Sequence, residues 1–302
     1  MKLATIRYKG TVYAGVIRDN DFIALSALDR QLPGTMLELI EGWIGYKPLI
    51  EKNIGSAETL CAMEEAEYLP PLPNPRSFRD FMGFEEHFVT VKKKAGRKIV
   101  DEYYQMPVFY FSNHQALRAS GEPVAAQPDT EQWDFEFEIG FIIGKQGINI
   151  PASRAMEYIF GYTILNDWSA RDIQVKEQKV GLGPAKGKDY ATSIGPVIVT
   201  RDELDACLRK DDPSRYDLAT KLTLNGRVLR ENNIKSILHP FSSMIERASK
   251  NVSLFPGELF GSGTLGGGTI LEYSNEEVPF LKSGDTILME VQGIGVLRNI
   301  VA

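Results

Sequence analysis

A chain of 302 residues with 43% hydrophobic content has enough apolar material for a large buried core, and its formal charge of -6 argues against a nucleic-acid surface, which needs clustered positive charge. The only cysteines, Cys61 and Cys207, are too few for a disulfide framework at this length, and zinc is disfavoured with three histidines scattered at 87, 114 and 239. No stretch approaches the ~18 apolar residues of a membrane helix. Because Met1-Lys-Leu-Ala-Thr-Ile-Arg-Tyr8 breaks its apolar stretch with charge, the expectation is a cytoplasmic protein with no leader and no membrane partner.

In chain order, Leu3 to Tyr8, Thr11 to Ile17 and Phe22 to Leu25 read as short strands broken at Lys9-Gly10 and Asp19-Asn-Asp21. Met36 to Ile44 has helical spacing, so residues 1–70 predict a small N-terminal α+β domain. Tyr68-Leu-Pro-Pro-Leu-Pro-Asn-Pro75 cannot continue a helix or a central strand, and places the boundary before a second domain over 71–302. The run Lys92-Lys-Lys-Ala-Gly-Arg-Lys98 reads as a solvated loop. Strand patterns follow at Val108 to Ser112, Trp133 to Ile143, Ile194 to Val199, Lys221 to Leu224, Thr269 to Tyr273 and Thr286 to Val291. Asn225-Gly226 marks a hairpin. Helical patterns are fewer, at Ser153 to Phe160, Ser169 to Glu177 and Phe241 to Ser249. The larger domain is therefore expected to be a β-rich α+β fold.

The segment Trp133-Asp-Phe-Glu-Phe-Glu-Ile-Gly140 alternates large apolar and acidic side chains. In a continuous strand Asp134, Glu136 and Glu138 share one face, and the two glutamate Cα atoms lie about 6.8 Å apart. Carboxylates that close repel unless a proton or a cation intervenes. Asp167 ends another strand-like run, Gly161-Tyr-Thr-Ile-Leu-Asn-Asp. Oxygen-only ligands select Mg²⁺, Mn²⁺ or Ca²⁺, although for a Glu-x-Glu pair taken alone a solvated acidic strand face is the commoner reading.

The order of motifs goes further. After the Glu-x-Glu strand come Asn166-Asp-Trp-Ser-Ala-Arg-Asp-Ile-Gln174, then Gly183-Pro-Ala-Lys-Gly-Lys188, then Gly261-Ser-Gly-Thr264. This series closely resembles the fumarylacetoacetate hydrolase family over roughly residues 75–300. The resemblance implies a fumarylacetoacetate-hydrolase-like catalytic domain, a mixed β-sandwich or roll, that works as a homodimer. It also implies metal ligands at Asp80, Glu136, Glu138 and Asp167, with Mg²⁺ (or Mn²⁺, Ca²⁺) as cofactor. His87, seven residues after Asp80 in Arg79-Asp-Phe-Met-Gly-Phe-Glu-Glu-His, matches the general base, and Glu272 matches the acid that orients it. Lys188 matches a charge-stabilising lysine, while Tyr110, Arg171, Gln174 and Thr264 match substrate contacts.

The substrate so implied is a small 2-oxo acid or diketone. An acylpyruvate or 1,3-diketo acid would be cleaved at a C–C bond by hydrolysis, through a metal-bound enolate whose charge Lys188 also offsets. Met82 stands where the fumarylacetoacetate-cleaving members carry a tyrosine, so fumarylacetoacetate itself is not the expected substrate. Oxaloacetate decarboxylation, or hydration or isomerisation of a 2-oxo-alkenoate, would use the same enolate. A ligand-binding protein that has lost the chemistry is the non-enzymatic alternative. Gly261-Ser-Gly-Thr-Leu-Gly266 matches a dinucleotide fingerprint only formally, because a strand pattern follows where a helix must begin.

Overall fold

The computed structural model describes residues 1–302. Its framework is a twelve-stranded sheet whose main path runs Cys61–Ala62, Asp21–Ala24, Thr11–Arg18, Lys2–Tyr8, Thr192–Thr200, Ile159–Asp167, Phe137–Ile143, Leu259–Gly261, Phe78–Phe81 and Phe109–Ser112. A five-stranded sheet, Arg227–Asn233, Ala219–Leu224, Thr286–Val291, Gly295–Val301 and Pro123–Val124, packs beside it. The fold is the mixed, sheet-rich α+β architecture that the sequence implies. No helix is long and apolar enough to cross a membrane.

Both faces of the large sheet are covered. Ile139, Phe141, Ile143 and Ile164 join the core that includes Leu222, Ile287, Met289 and Leu297 from the smaller sheet. Ile142, Leu165, Ile194 and Ile198 point the other way, into a second core with Met36, Leu39, Ile40 and Ile50 of the helices Met36–Glu41 and Trp43–Asn53. Two buried faces explain why Phe137–Ile143 is buried at every position, since a strand covered on both sides has no polar alternation to show.

One pairing links the two expected domains, and two local expectations change. Lys2–Tyr8 hydrogen-bonds Thr192–Thr200, so sheet pairing runs across the boundary expected near residue 70. Thr269 to Tyr273 is not a strand; Ile270–Glu272 is a 3₁₀ turn. The basic run begins inside the helix Glu85–Lys94, whose last turn holds Lys92, Lys93 and Lys94, where cations complement the C-terminal end of the helix dipole.

The acidic segment itself is broken. Trp133–Asp134 pairs with Ser169–Ala170, while Phe137–Ile143 pairs with Ile159–Asp167, leaving Phe135 and Glu136 between two short ladders. The Glu136 N–H donates to the side-chain oxygen of Asn166 at 3.0 Å, and Asp167 N–H donates to the Glu136 carbonyl at 3.1 Å. Asn166 in turn donates to Asn299 of the smaller sheet at 3.0 Å. A side-chain amide thus replaces a ladder bond, which lets the chain kink without leaving a buried N–H unpaired.

Candidate active site

Three of the four acidic side chains lie on strands, on a face that is apolar further along, and Glu136 lies in the break between two of them. Asp80 lies two residues past Phe78 and Asp167 two past Leu165, and both of those apolar residues belong to the second core. Glu138 opens the strand whose Ile142 joins the same core. Gly261 pairs in register with Asp80 and with Gly140, and Asp80 with Tyr110. Strand alternation and register therefore bring Asp80, Glu138, Asp167 and Tyr110 to one pole of the sheet, and the Asn166 kink adds Glu136. All four carboxylates are buried.

The charges there are unevenly shared. Lys188 Nζ donates to Glu136 Oε2 at 2.5 Å and to Asp167 Oδ2 at 2.6 Å. Burial alone would raise Glu136, but the Lys188 and Arg171 cations outweigh it and hold its carboxyl below the ordinary range. Burial, reinforced by the Asp167 charge, pushes Asp80 up to about 8. Burial and the charges of Asp80 and Glu136 push Glu138 well up too. Burial also raises Asp167, against the pull of Lys188. Tyr110 donates to Asp167 Oδ2 at 2.6 Å and lies 3.1 Å from Asp80 Oδ2.

As they stand, no three His, Cys, Asp or Glu side chains converge in metal-binding geometry; the Lys188 ammonium lies between two of the acids instead. The donor set nevertheless fits a hard cation. Asp80 Oδ1 and Asp167 Oδ1 are buried with no hydrogen-bond partner, a costly state for a carboxylate oxygen. A Cβ on Gly261 would lie 2.4 Å from Asp80 Oδ1 and 2.8 Å from Glu138 Oε2, so only glycine leaves room beside these oxygens. Glu138 Oε2 accepts the Gly263 N–H at 2.9 Å, and Thr264 Oγ1 is 3.5 Å from its other oxygen.

His87 sits in the first turn of the helix Glu85–Lys94, 13% exposed at its side chain, with Nδ1 2.9 Å from Glu272 Oε1. The other Glu272 oxygen accepts the Gly267 N–H at 2.8 Å. The glycine run 266–268 permits this return, because Gly267 adopts φ +73°. A carboxylate fixed at both oxygens holds one tautomer of the imidazole and leaves Nε2 as the basic atom.

Arg171 opens the helix Arg171–Gln178, and its guanidinium is more tied up than a substrate contact would be. Nε donates to Asp134 Oδ2 at 2.8 Å, Nη2 to Thr269 Oγ1 at 2.8 Å and Nη1 to Gln174 Oε1 at 3.0 Å, while Nη2 also forms an ion pair with Glu136 Oε1 at 2.8 Å. One Nη1 proton remains for a ligand. Asp134 is fully buried.

The family profile described as "Fumarylacetoacetate (FAA) hydrolase C-terminal" matches residues 76–302, the whole stretch that carries this site. The chain belongs to the fumarylacetoacetate hydrolase family. Among relatives, "Oxaloacetate tautomerase fahd2, mitochondrial" of Xenopus laevis is 27% identical over 282 residues, covering 92% of this chain and 82% of its own. An uncharacterized protein of Staphylococcus epidermidis is 30% identical over 268 residues, covering 86% of this chain and 82% of its own.

Solved structures of the fumarylacetoacetate hydrolase family share the fold. The fumarylacetoacetate hydrolase of Exiguobacterium antarcticum superposes with a TM-score of 0.78 at 24% identity, covering 100% of this chain and 99% of its own. Maleylpyruvate hydrolase from Sphingobium sp. SYK-6, in complex with manganese(II) ion and pyruvate, gives 0.75 at 21% identity, with coverage of 100% and 99%.

The structure also shows three contributors that sequence reasoning missed: Asn166, which bends the acidic segment; Thr269, which bridges Asp134 and Arg171; and Glu177. The Glu177 carboxylate accepts the backbone N–H groups of Ala185, Lys186 and Gly187 at 3.1, 2.6 and 3.2 Å, and so sets the loop that delivers Lys188. Asn166 and Thr269 lie inside or beside motifs already singled out, so their position was a signal. Nothing in the sequence distinguishes Glu177 from its solvated neighbours.

Proposed function

We propose that this member of the fumarylacetoacetate hydrolase family is a divalent-cation-dependent enzyme that hydrolyses a C–C bond in an acylpyruvate or 1,3-diketo acid. The observation that carries the reading is the His87–Glu272 pair set beside four buried carboxylates, of which Asp80 and Asp167 each keep an unpartnered oxygen. The manganese and pyruvate bound by the Sphingobium maleylpyruvate hydrolase support it.

Asp80, Glu136, Glu138 and Asp167 would hold Mg²⁺ or Mn²⁺; when bound, the ion supplies Lewis-acid polarisation and offsets developing negative charge. Seating it requires Lys188 to yield its place between Glu136 and Asp167, which frees the ammonium for the substrate. Between the two acids burial opposes the Lys188 charge and Asp167 and Glu136 more than compensate; turned away from them, the ammonium would stabilise an enolate leaving group. His87 Nε2 takes a proton from water while Glu272 holds Nδ1–H, and the imidazolium that results is stabilised by the same carboxylate. Tyr110, beside Asp80 and Asp167, and Thr264, beside Glu138, would receive the substrate carboxylate, together with the remaining Arg171 proton.

A second reading is proton transfer alone, tautomerising or isomerising a 2-oxo acid without breaking its skeleton. The name of the Xenopus laevis relative favours it, and His87 would serve as the base there too. Turnover of acetylpyruvate and oxaloacetate, followed by product analysis with Mn²⁺ and with EDTA, separates the two. Hydrolysis predicts pyruvate and acetate from acetylpyruvate, lost with EDTA or in Glu138→Ala; unchanged activity in Glu138→Ala would refute both.

A further inference from the structure

Asp134 touches neither the unpartnered oxygens nor the base, yet it accepts more hydrogen bonds than any acid in the site. Its Oδ2 takes Arg171 Nε at 2.8 Å and the Thr269 hydroxyl at 2.5 Å; its Oδ1 takes the N–H groups of Ile270 at 2.8 Å and Phe135 at 2.7 Å. The side chain is fully buried. Arg171, so held, directs Nη2 to Glu136. Thr269 and Ile270 lie three and two residues before Glu272, the acid on His87. One carboxylate therefore ties together the two halves of the site, the cation side through Arg171 and the base side through the turn Ile270–Glu272.

We propose that Asp134 is a positioning residue for the reaction, fixing Glu136 through Arg171 and Glu272 through Thr269 and Ile270. The physical case rests on competition for the guanidinium. Glu136 already receives Lys188, and an Arg171 free to turn wholly onto it would neutralise the carboxylate that a cation needs. Asp134 draws Nε away and shares the Thr269 contact, so Arg171 reaches Glu136 through a single nitrogen. Groups that orient ligands in this way commonly matter about 10- to 100-fold in metal affinity or activity. The inference rests on the cation-dependent reading above.

The test compares Asp134→Asn and the isosteric Thr269→Val with the unsubstituted protein. Mn²⁺ affinity is read by electron paramagnetic resonance, and kcat and KM on acetylpyruvate are read well below each variant's melting temperature. The expected result is Mn²⁺ binding weakened about 10-fold or more and kcat lowered about 100-fold in Asp134→Asn, with smaller losses in the same direction in Thr269→Val. A purely structural role would lower the melting temperature alone. Folded variants with unchanged Mn²⁺ affinity and kcat would overturn the proposal. If Asp134→Asn does not fold, Thr269→Val decides by the same criteria. No Mn²⁺ binding by the unsubstituted protein would instead defeat the cation reading itself, a result distinguishable from either.

Discussion

Gly261 shows how one missing side chain makes room for chemistry. It pairs with Gly140 and Asp80 in the sheet, and an added methyl would meet Asp80 Oδ1 at 2.4 Å and Glu138 Oε2 at 2.8 Å. Gly261→Ala would therefore leave the backbone conformation available while pushing the two acids apart. The expected outcome is loss of Mn²⁺ binding with far-ultraviolet circular dichroism retained, and a stability cost of about 1–3 kcal/mol from overpacking. Calorimetric titration with Mn²⁺ checks it, and full affinity would remove the steric argument. At this scale much of the site was legible. Asp80, Glu136, Glu138, Asp167, His87, Glu272 and Lys188 do gather at one pole, because motif order carried them there. What sequence spacing could not show was pairing: that Arg171 faces two acids rather than open space, and that Asp134 is fully buried and fully hydrogen-bonded.

Elements carry a different lesson. Alternation over Trp133 to Ile139 suggested one strand, but the chain divides into Trp133–Asp134 and Phe137–Ile143 because Asn166 supplies a side-chain acceptor where a backbone one would be. Periodicity reports which face a residue takes and is blind to a ladder bond replaced by an amide 30 residues away. Thr269 to Tyr273 failed as a strand for a related reason: Asp134 captures the Ile270 N–H and Glu272 closes back on Gly267, so local carboxylate bonds outcompete strand pairing. The loop after the helix Arg171–Gln178 works likewise, with Glu177 gathering three backbone N–H groups. Glu177→Ala should raise hydrogen exchange over residues 183–188 and lower kcat through a wandering Lys188, while Mn²⁺ affinity changes little. Mass-spectrometric exchange measures the first effect; protection equal to that of the unsubstituted protein would show that Glu177 does not set the loop.

For the whole molecule, the large sheet decides stability. Lys2–Tyr8 pairs with Thr192–Thr200 on one side and Thr11–Arg18 on the other, and the helices Met36–Glu41 and Trp43–Asn53 cover the face that ends in the carboxylates. Strand patterns carried the sheet-rich class, and the proline-rich stretch near residue 70 placed a domain boundary; the pairing of Lys2–Tyr8 with Thr192–Thr200 across that stretch was invisible without the third dimension. Because the two share a sheet and a core, they are expected to unfold together. Scanning calorimetry should then show one transition, and two well-separated transitions would contradict the coupling.

The central claim is that the pole of this sheet is a divalent-cation site that receives a 2-oxo acid. The most direct measurement is a crystal structure grown with Mn²⁺ and oxalate, a mimic of the pyruvate enolate. The account predicts Mn²⁺ among Asp80, Glu136, Glu138 and Asp167, with Lys188 turned onto the oxalate. Mn²⁺ and oxalate bound elsewhere, with Lys188 still between Glu136 and Asp167, would contradict it.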